Sequence, residues 1–522
     1  MSFFEQLVRV PGNFTPAAFF PVAVGGFLMF FFIYYIKILK PQKGTVEWIE
    51  MAVNKPVLTV LNKRYPMERQ DILPVFLITG IFLFFALFNL GNFNMVNIIN
   101  EIQNPSAGTN HLNNLFFDEI YFVRTAAEHI ENMPPYELSH PPLGKLLISA
   151  SILLFGSSPF GWRVLGALAG VLMITVMYIF VKNMFGKTFV AACTALLFGF
   201  DFMRFIQTRI GTIDSYTVFF ILCSFFFMYR YITTDVNAPF RKSLLSLAFS
   251  GFFFGLSFSV KWIGFYAGAG LLILYIIRLV HLGLFYGSTF KRGFGVYLIK
   301  TILFSMLFFV LIPGLVYYFS YIPYGTARGM QLNLNMLTDP SFFNIVRSNQ
   351  VLMFTYHSRL EAVHPFSSSW WQWILNIRPI LYVSNSSGDA RAIFGAFGNP
   401  VIWWGGFIAM VMTTFRIFTH RDGKSLFILI GFLSQLLPWV AVTRILFIYH
   451  YFPSTLFLLL ALAHVFNTII ERRGFESGKT AVYAYTAVSG SMFALFYPAM
   501  AGFYLPRWFY IYFIKWFPSW PF

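Results

Sequence analysis

Long apolar runs follow one another along this chain, broken by short polar stretches. They lie near 16–38, 71–91, 161–183, 188–205, 212–232, 243–260, 263–282, 297–320, 399–418, 425–442, 445–470 and 480–505. Each approaches the roughly 20 residues that carry a helix across a hydrocarbon core. The pattern predicts an all-α polytopic membrane protein with about twelve transmembrane helices, since only a helix satisfies its own backbone in lipid without a closed barrel. A barrel would show short alternating segments instead. One further run, Leu143–Gly156, spans about 14 residues, a length that suits an interfacial or re-entrant helix.

Charge assigns the loops to sides. The 522 residues are 57% hydrophobic and only 11% charged, which excludes an ordinary soluble enzyme and a disordered chain. The net charge of +17 reads as membrane orientation rather than nucleic-acid binding. If 143–156 does not cross, fifteen Lys and Arg from Lys182 to Lys479 fall in short inside loops. The outside turns then hold only Arg204, Arg209, Lys261 and Arg444. Both termini are expected outside. The first run carries its basic flank after it, at Lys37, Lys40 and Lys43, and so reads as an anchor rather than a cleaved leader. Cys193 and Cys223 lie in apolar runs and read as packing residues.

Two long outside loops remain, 92–160 and 321–398, and they hold the densest polar and aromatic residues. Loops of this length on a membrane protein usually carry function. In the first, Asp118 and Glu119 sit between aromatics at the expected start of an amphipathic helix. Adjacent carboxylates raise one another's pKa, which suits a general base, although a helix N-terminus also favours acids. Ser139-His-Pro-Pro-Leu-Gly-Lys145 offers His140 and Lys145 for phosphate or for orienting a base, or alternatively a turn with a snorkelling lysine. Arg163, Arg209, Lys261 and Arg444 stand at outside span ends, against the charge bias, and suggest a shared site for an anionic headgroup. Asp214, five residues after Arg209, could instead pair with that arginine. In the second loop Tyr356, His357, His364 and Trp370 lie among serines and indoles, which suits a sugar or headgroup as well as an interfacial aromatic belt.

Two histidines make a poor zinc site without a third ligand nearby, so no cofactor is expected, with a divalent metal left open. The chain has no P-loop, dinucleotide glycine motif, His-Glu-x-x-His or Gly-x-Ser-x-Gly. A sugar donor for an outward-facing site has to arrive on a lipid.

These motifs resemble the protein O-mannosyltransferase family, in family order over most of 71–505. The resemblance runs through Phe117-Asp-Glu-Ile-Tyr-Phe122, His140-Pro-Pro-Leu-Gly-Lys145, Gly161-Trp-Arg163, Thr208-Arg-Ile-Gly-Thr-Ile-Asp214 and Ser259-Val-Lys-Trp262. It continues through His364-Pro-Phe-Ser-Ser-Ser-Trp-Trp371, Gly398-Asn-Pro-Val-Ile-Trp-Trp404, Leu437-Pro-Trp439 with Arg444, and Tyr449-His-Tyr-Phe-Pro453. Ser139 and Thr208 depart from the residues more common there. The resemblance implies a GT-C glycosyltransferase fold that takes mannose from a polyprenyl-phosphate carrier to Ser or Thr of proteins. It further implies Asp118 as the base, Glu119 as a positioning group, and no nucleic-acid partner. Residues 1–70 then form an added anchor with a basic cytoplasmic segment, 71–505 the catalytic membrane domain, and 506–522 an extracytoplasmic tail. The second loop is too short for the β-trefoil domain of eukaryotic relatives, so the chain resembles the smaller bacterial members, and a bacterial plasma membrane is expected. The alternatives are a lipid-linked sugar transferase acting on a glycolipid or cell-wall polymer, and a charged-lipid transporter or flippase. A transporter should carry polar groups through the membrane core.

Overall fold

The computed structural model describes residues 17, 19–39, 64–91, 115–235, 239–286 and 294–522. Lys40, Lys43, Lys291, Arg292 and residues 92–114 of the first long loop lie outside the described residues. Ten helices among the described residues are long and apolar enough to cross a membrane, as expected of a multi-pass membrane protein.

Two of the twelve expected spans fall short of that standard. The run 188–205 forms Thr188–Gly199, stops, and resumes as Phe202–Gln207. The break is made by Asp201, whose carboxylate accepts from the Arg204 backbone N–H and caps the second piece. The first piece has 12 residues, too few at about 1.5 Å each to cross a core of about 30 Å alone. The second completes the passage, since Thr188 bonds Asp71 near one end of the helix Pro159–Phe185 and Gly211 bonds Glu119 near the other. The run 480–505 forms Phe475–Met500, long enough at 26 residues but diluted by Glu476, Lys479 and several hydroxyl side chains. The run at 143–156 forms a helix of 13 residues, Leu143–Phe155.

The core is organised around Ile448–Arg473, whose apolar window is completely buried. Its neighbours are Pro400–His420, Gly423–Leu436, Phe475–Met500 and Thr188–Gly199. A helix apolar on every side has to sit inside, and this one does. The first helix, Phe19–Leu39, docks on the same centre, with the Phe31 ring 4.7 Å from Tyr485 and 6.2 Å from Phe466.

The all-α expectation needs one correction. The second long loop folds part of its length into an antiparallel hairpin, β1 (Ile380–Ser387) and β2 (Ala390–Ala396), turning through Gly388 at φ +57°. A third short strand, β3 (Leu505–Pro506), pairs with β2. Residues 506–522 are therefore no loose tail. The Arg507 N–H donates to the Asp389 carbonyl, Tyr510 accepts from the Ile393 N–H, and the Trp520 indole donates to the Asn376 carbonyl. Trp516 lies flat on Phe20 at 5.7 Å, which ties this segment to the first helix.

Candidate active site

The site is built where the first long loop meets the hairpin. Asp118 and Glu119 open the helix Glu119–Ile130, as their position predicts. The residue before them, Phe117, holds φ +51°. A bulky residue with a β-carbon avoids that left-handed region, so its surroundings must hold it there.

The two carboxylates have opposite environments. Glu119 is fully buried and saturated. It accepts from Arg163 Nε at 2.7 Å and Nη2 at 2.8 Å, and from the Gly211 N–H at 2.6 Å. A β-carbon on Gly211 would sit 2.7 Å from Val123 and 3.3 Å from Glu119 itself, so only glycine lets that N–H come so close. Asp118 is half-buried, and no described residue donates to its carboxylate. Burial pushes its pKa up to about 7. The negative Asp214 and Glu137 add to the rise, and Lys261 opposes it.

Lys261 is the cation that acts on this carboxylate, and it shares a cavity with Arg444. Lys261 caps the end of the helix Phe240–Val260 and donates to Asp214 Oδ1 at 2.8 Å, with its ammonium 5.3 Å from the Tyr449 ring. The alternative pairing of Asp214 with Arg209 gives way to Lys261–Asp214. Arg209 donates instead to the Phe88 carbonyl at 2.6 Å and lies over the Phe205 ring, fully buried. Lys261 and Arg444 together line a cavity of about 260 Å³ with His140, Trp262, Tyr266 and His357. Arg163 and Arg209 are outside its lining, so two of the four expected cations share the cavity and two do not.

Lys145 is also away from the cavity. It is fully buried, donating to Glu137 Oε2 at 2.6 Å, to the carbonyls of Glu137 and His140, and to the Tyr324 hydroxyl. Glu137 in turn takes His140 Nδ1 at 3.0 Å. Burial would raise the Glu137 carboxyl, yet Lys145 and His140 hold it well below the usual range. Sequence reasoning missed Glu137. The signal was an acid three residues before His140.

The second-loop residues divide between two places. His357 Nε2 lies 2.9 Å from the Ser139 carbonyl, and its ring is 5.4 Å from His140; burial pulls its pKa down to about 4, so it is neutral at pH 7. Tyr356 beside it is exposed. Trp370 lines an adjoining cavity of about 530 Å³ that shares Trp439, Val442 and Arg444 with the first. His364 accepts from the Phe366 N–H and packs 5.1 Å from Phe447, outside both linings. Among the described residues no three His, Cys, Asp or Glu are grouped to hold a metal ion.

Residues 154–323 match the family of dolichyl-phosphate-mannose-protein mannosyltransferases, and residues 342–520 match the C-terminal four-transmembrane region of protein O-mannosyltransferases. The chain belongs to the protein O-mannosyltransferase family. It is accordingly a glycosyltransferase. Its relatives include polyprenol-phosphate-mannose–protein mannosyltransferases of Corynebacterium glutamicum, 26% identical over 75% of this chain and 83% of the relative, and of Mycobacterium tuberculosis, 26% over 74% and 83%. Among solved structures, the Saccharomyces cerevisiae protein O-mannosyltransferase complex bound to its sugar donor superposes with a TM-score of 0.72 at 15% identity, over 90% of this chain and 95% of that one. ArnT from Cupriavidus metallidurans bound to undecaprenyl phosphate gives 0.51 at 13% identity, over 82% and 76%. These neighbours establish the GT-C fold for this family member.

Proposed function

We propose that this protein moves mannose from a polyprenyl-phosphate carrier to Ser or Thr hydroxyls of polypeptides on the extracytoplasmic side of a bacterial plasma membrane. The observation that supports the reading best is Asp118, a carboxylate without a described partner, raised toward neutral pH, in the same charged neighbourhood as Lys261. The names of the curated relatives supply the donor and the protein acceptor.

In this mechanism the acceptor oxygen forms a bond to the anomeric carbon as the bond from that carbon to the phosphate oxygen breaks. Asp118 takes the hydroxyl proton while the bond forms, because a serine hydroxyl is too weakly acidic to ionise beforehand. Polyprenyl phosphate leaves with the electron pair, and Lys261 and Arg444 stabilise its growing charge. A single displacement of this kind inverts the sugar carbon. Glu119 does not touch the reactants; its clamp on Arg163 and Gly211 holds the helix that carries Asp118.

The test is transfer from labelled polyprenyl-phosphate mannose to a Ser/Thr-rich peptide by detergent-purified protein, with Asp118→Asn alongside. Labelled peptide from wild type and its loss in the variant are expected. Label that partitions with lipid would move the acceptor to a glycolipid. An unimpaired Asp118→Asn would remove the base assignment.

A further inference from the structure

The hairpin of the second loop packs against the two residues that precede Asp118. Along β1 the pairing with β2 runs Leu381 to Gly395 and then Val383 to Phe394, so Tyr382 is the extra residue of a β-bulge. A bulge re-aims a side chain and is common beside active sites. Here it turns Tyr382 onto Phe117, the rings stacked with centroids 4.1 Å apart. The Tyr382 hydroxyl donates to Gln207 Oε1 at 2.6 Å, which fixes the plane of its ring. One strand further, Phe394 packs 5.8 Å from Phe116.

These contacts close a circuit around the cleft. Phe117 stacks on Tyr382, Tyr382 bonds Gln207, and Gln207 Nε2 approaches Asp214 at 3.4 Å. Asp214 pairs with Lys261, the Lys261 ammonium faces the Tyr449 ring, and Tyr449 returns to Phe117 edge-on at 6.1 Å. Asp118 follows Phe117 directly, and its own side chain has no described hydrogen-bond partner. The backbone on its far side is fastened by Glu119. On its near side, Phe117 at φ +51° lies stacked on Tyr382.

We propose that Tyr382 is a positioning residue for the transfer reaction, a bulge-borne clamp that keeps Phe117 left-handed and so aims the Asp118 carboxylate at the acceptor hydroxyl. The proposal rests on Asp118 being the base. Without the clamp Phe117 relaxes toward an ordinary backbone conformation and the carboxylate swings with it. Misplacement of a catalytic group by about 1 Å costs on the order of 10²-fold in rate.

The experiment compares wild type, Tyr382→Leu, Tyr382→Phe, Asp118→Asn and the Tyr382→Leu/Asp118→Asn double variant, using polyprenyl-phosphate mannose and a Ser/Thr peptide. Tyr382→Leu should lower kcat by roughly 10- to 100-fold, leave the donor KM near wild type, and displace the acidic limb of the pH–kcat profile. In the Asp118→Asn background the same substitution should add almost nothing, because two residues acting through one group are not additive. Tyr382→Phe keeps the stack and loses only the anchor to Gln207, so its loss should be smaller but of the same kind. If Tyr382→Leu does not purify as a monodisperse protein, Tyr382→Phe decides by its rate and pH limb. A merely structural role would give a multiplicative loss in the double variant with an unmoved pH profile, and that result would overturn the proposal. So would a wild-type Tyr382→Leu beside an impaired Asp118→Asn. An unimpaired Asp118→Asn takes the base reading and this inference down together.

Discussion

One helix, Pro159–Phe185, carries a buried cation at each end, and the acids around the two ends are satisfied to different extents. At the far end Lys182 reaches Glu68 at 2.8 Å and Asp71 at 3.2 Å. Asp71 also accepts from Tyr178 at 2.9 Å, from Thr188 at 2.7 Å and from the Glu68 N–H. At the near end Arg163 closes on Glu119. The next residue, Asp118, has no such closure among the described residues. Buried charge is costly unless paired, so a saturated carboxylate reads as architecture. A carboxylate left open beside one that is saturated stands ready to take a proton. Burial does not separate the two ends; the open carboxylate at one of them is what the proposed base role rests on.

The comparison is sharpest at the two aspartates. Asp118→Asn should lower kcat by about 10²- to 10⁴-fold, the usual reach of general acid–base groups. Its thermal midpoint should hold or rise, since a charge held without a partner is removed. Asp71→Asn should do the reverse, costing stability and sparing the chemistry. Matched melting curves and rates would break the contrast if both variants lost activity to the same extent. Arg163→Met leaves Glu119 buried without its cation, and the cost of breaking such a pair is about 3–5 kcal/mol of stability. Denaturant or heat titration of the purified variant measures it. Arg444→Gln removes one charge-assisted contact of about 1.5–3 kcal/mol. It should weaken donor binding roughly 10-fold or more while leaving the melting temperature in place.

Smaller effects follow from pH and chelation. A base must be ionised to work, so with Asp118 titrating near 7 the transfer rate should rise with pH up to about that value and level off above it. Below it kcat/KM should fall about tenfold per unit. A limb near pH 4 would mean that the cleft is wetter than its crowding implies. Incubation with EDTA should change nothing, and a lost rate restored by a divalent cation would reopen the metal question.

Much of the scaffold was legible because apolar length is a strong signal. Ten of the twelve runs became helices apolar and long enough to span. The break in the run 188–205 came from Asp201, a capping residue inside a mostly apolar stretch. Asp118 stood out as a candidate because adjacent acids between aromatics are rare in so uncharged a chain. Its partners were harder. Nothing in the spacing connects Asp214 with Lys261 or Glu119 with Arg163, because helix packing across more than forty residues makes those pairs. The hairpin did leave a local trace, two β-rich stretches around Gly388-Asp389.

The helix Pro159–Phe185 has a mechanical consequence. Its 27 residues make a rod of about 40 Å, longer than a hydrocarbon core of about 30 Å. A single helix usually meets a thinner or thicker bilayer by leaning. This one is bolted by ion pairs near both ends, to the loop that carries the reactive carboxylate and to the opposite face. It cannot lean alone. A bilayer of another thickness therefore has to move the elements fastened to this rod together with it, rather than the rod alone.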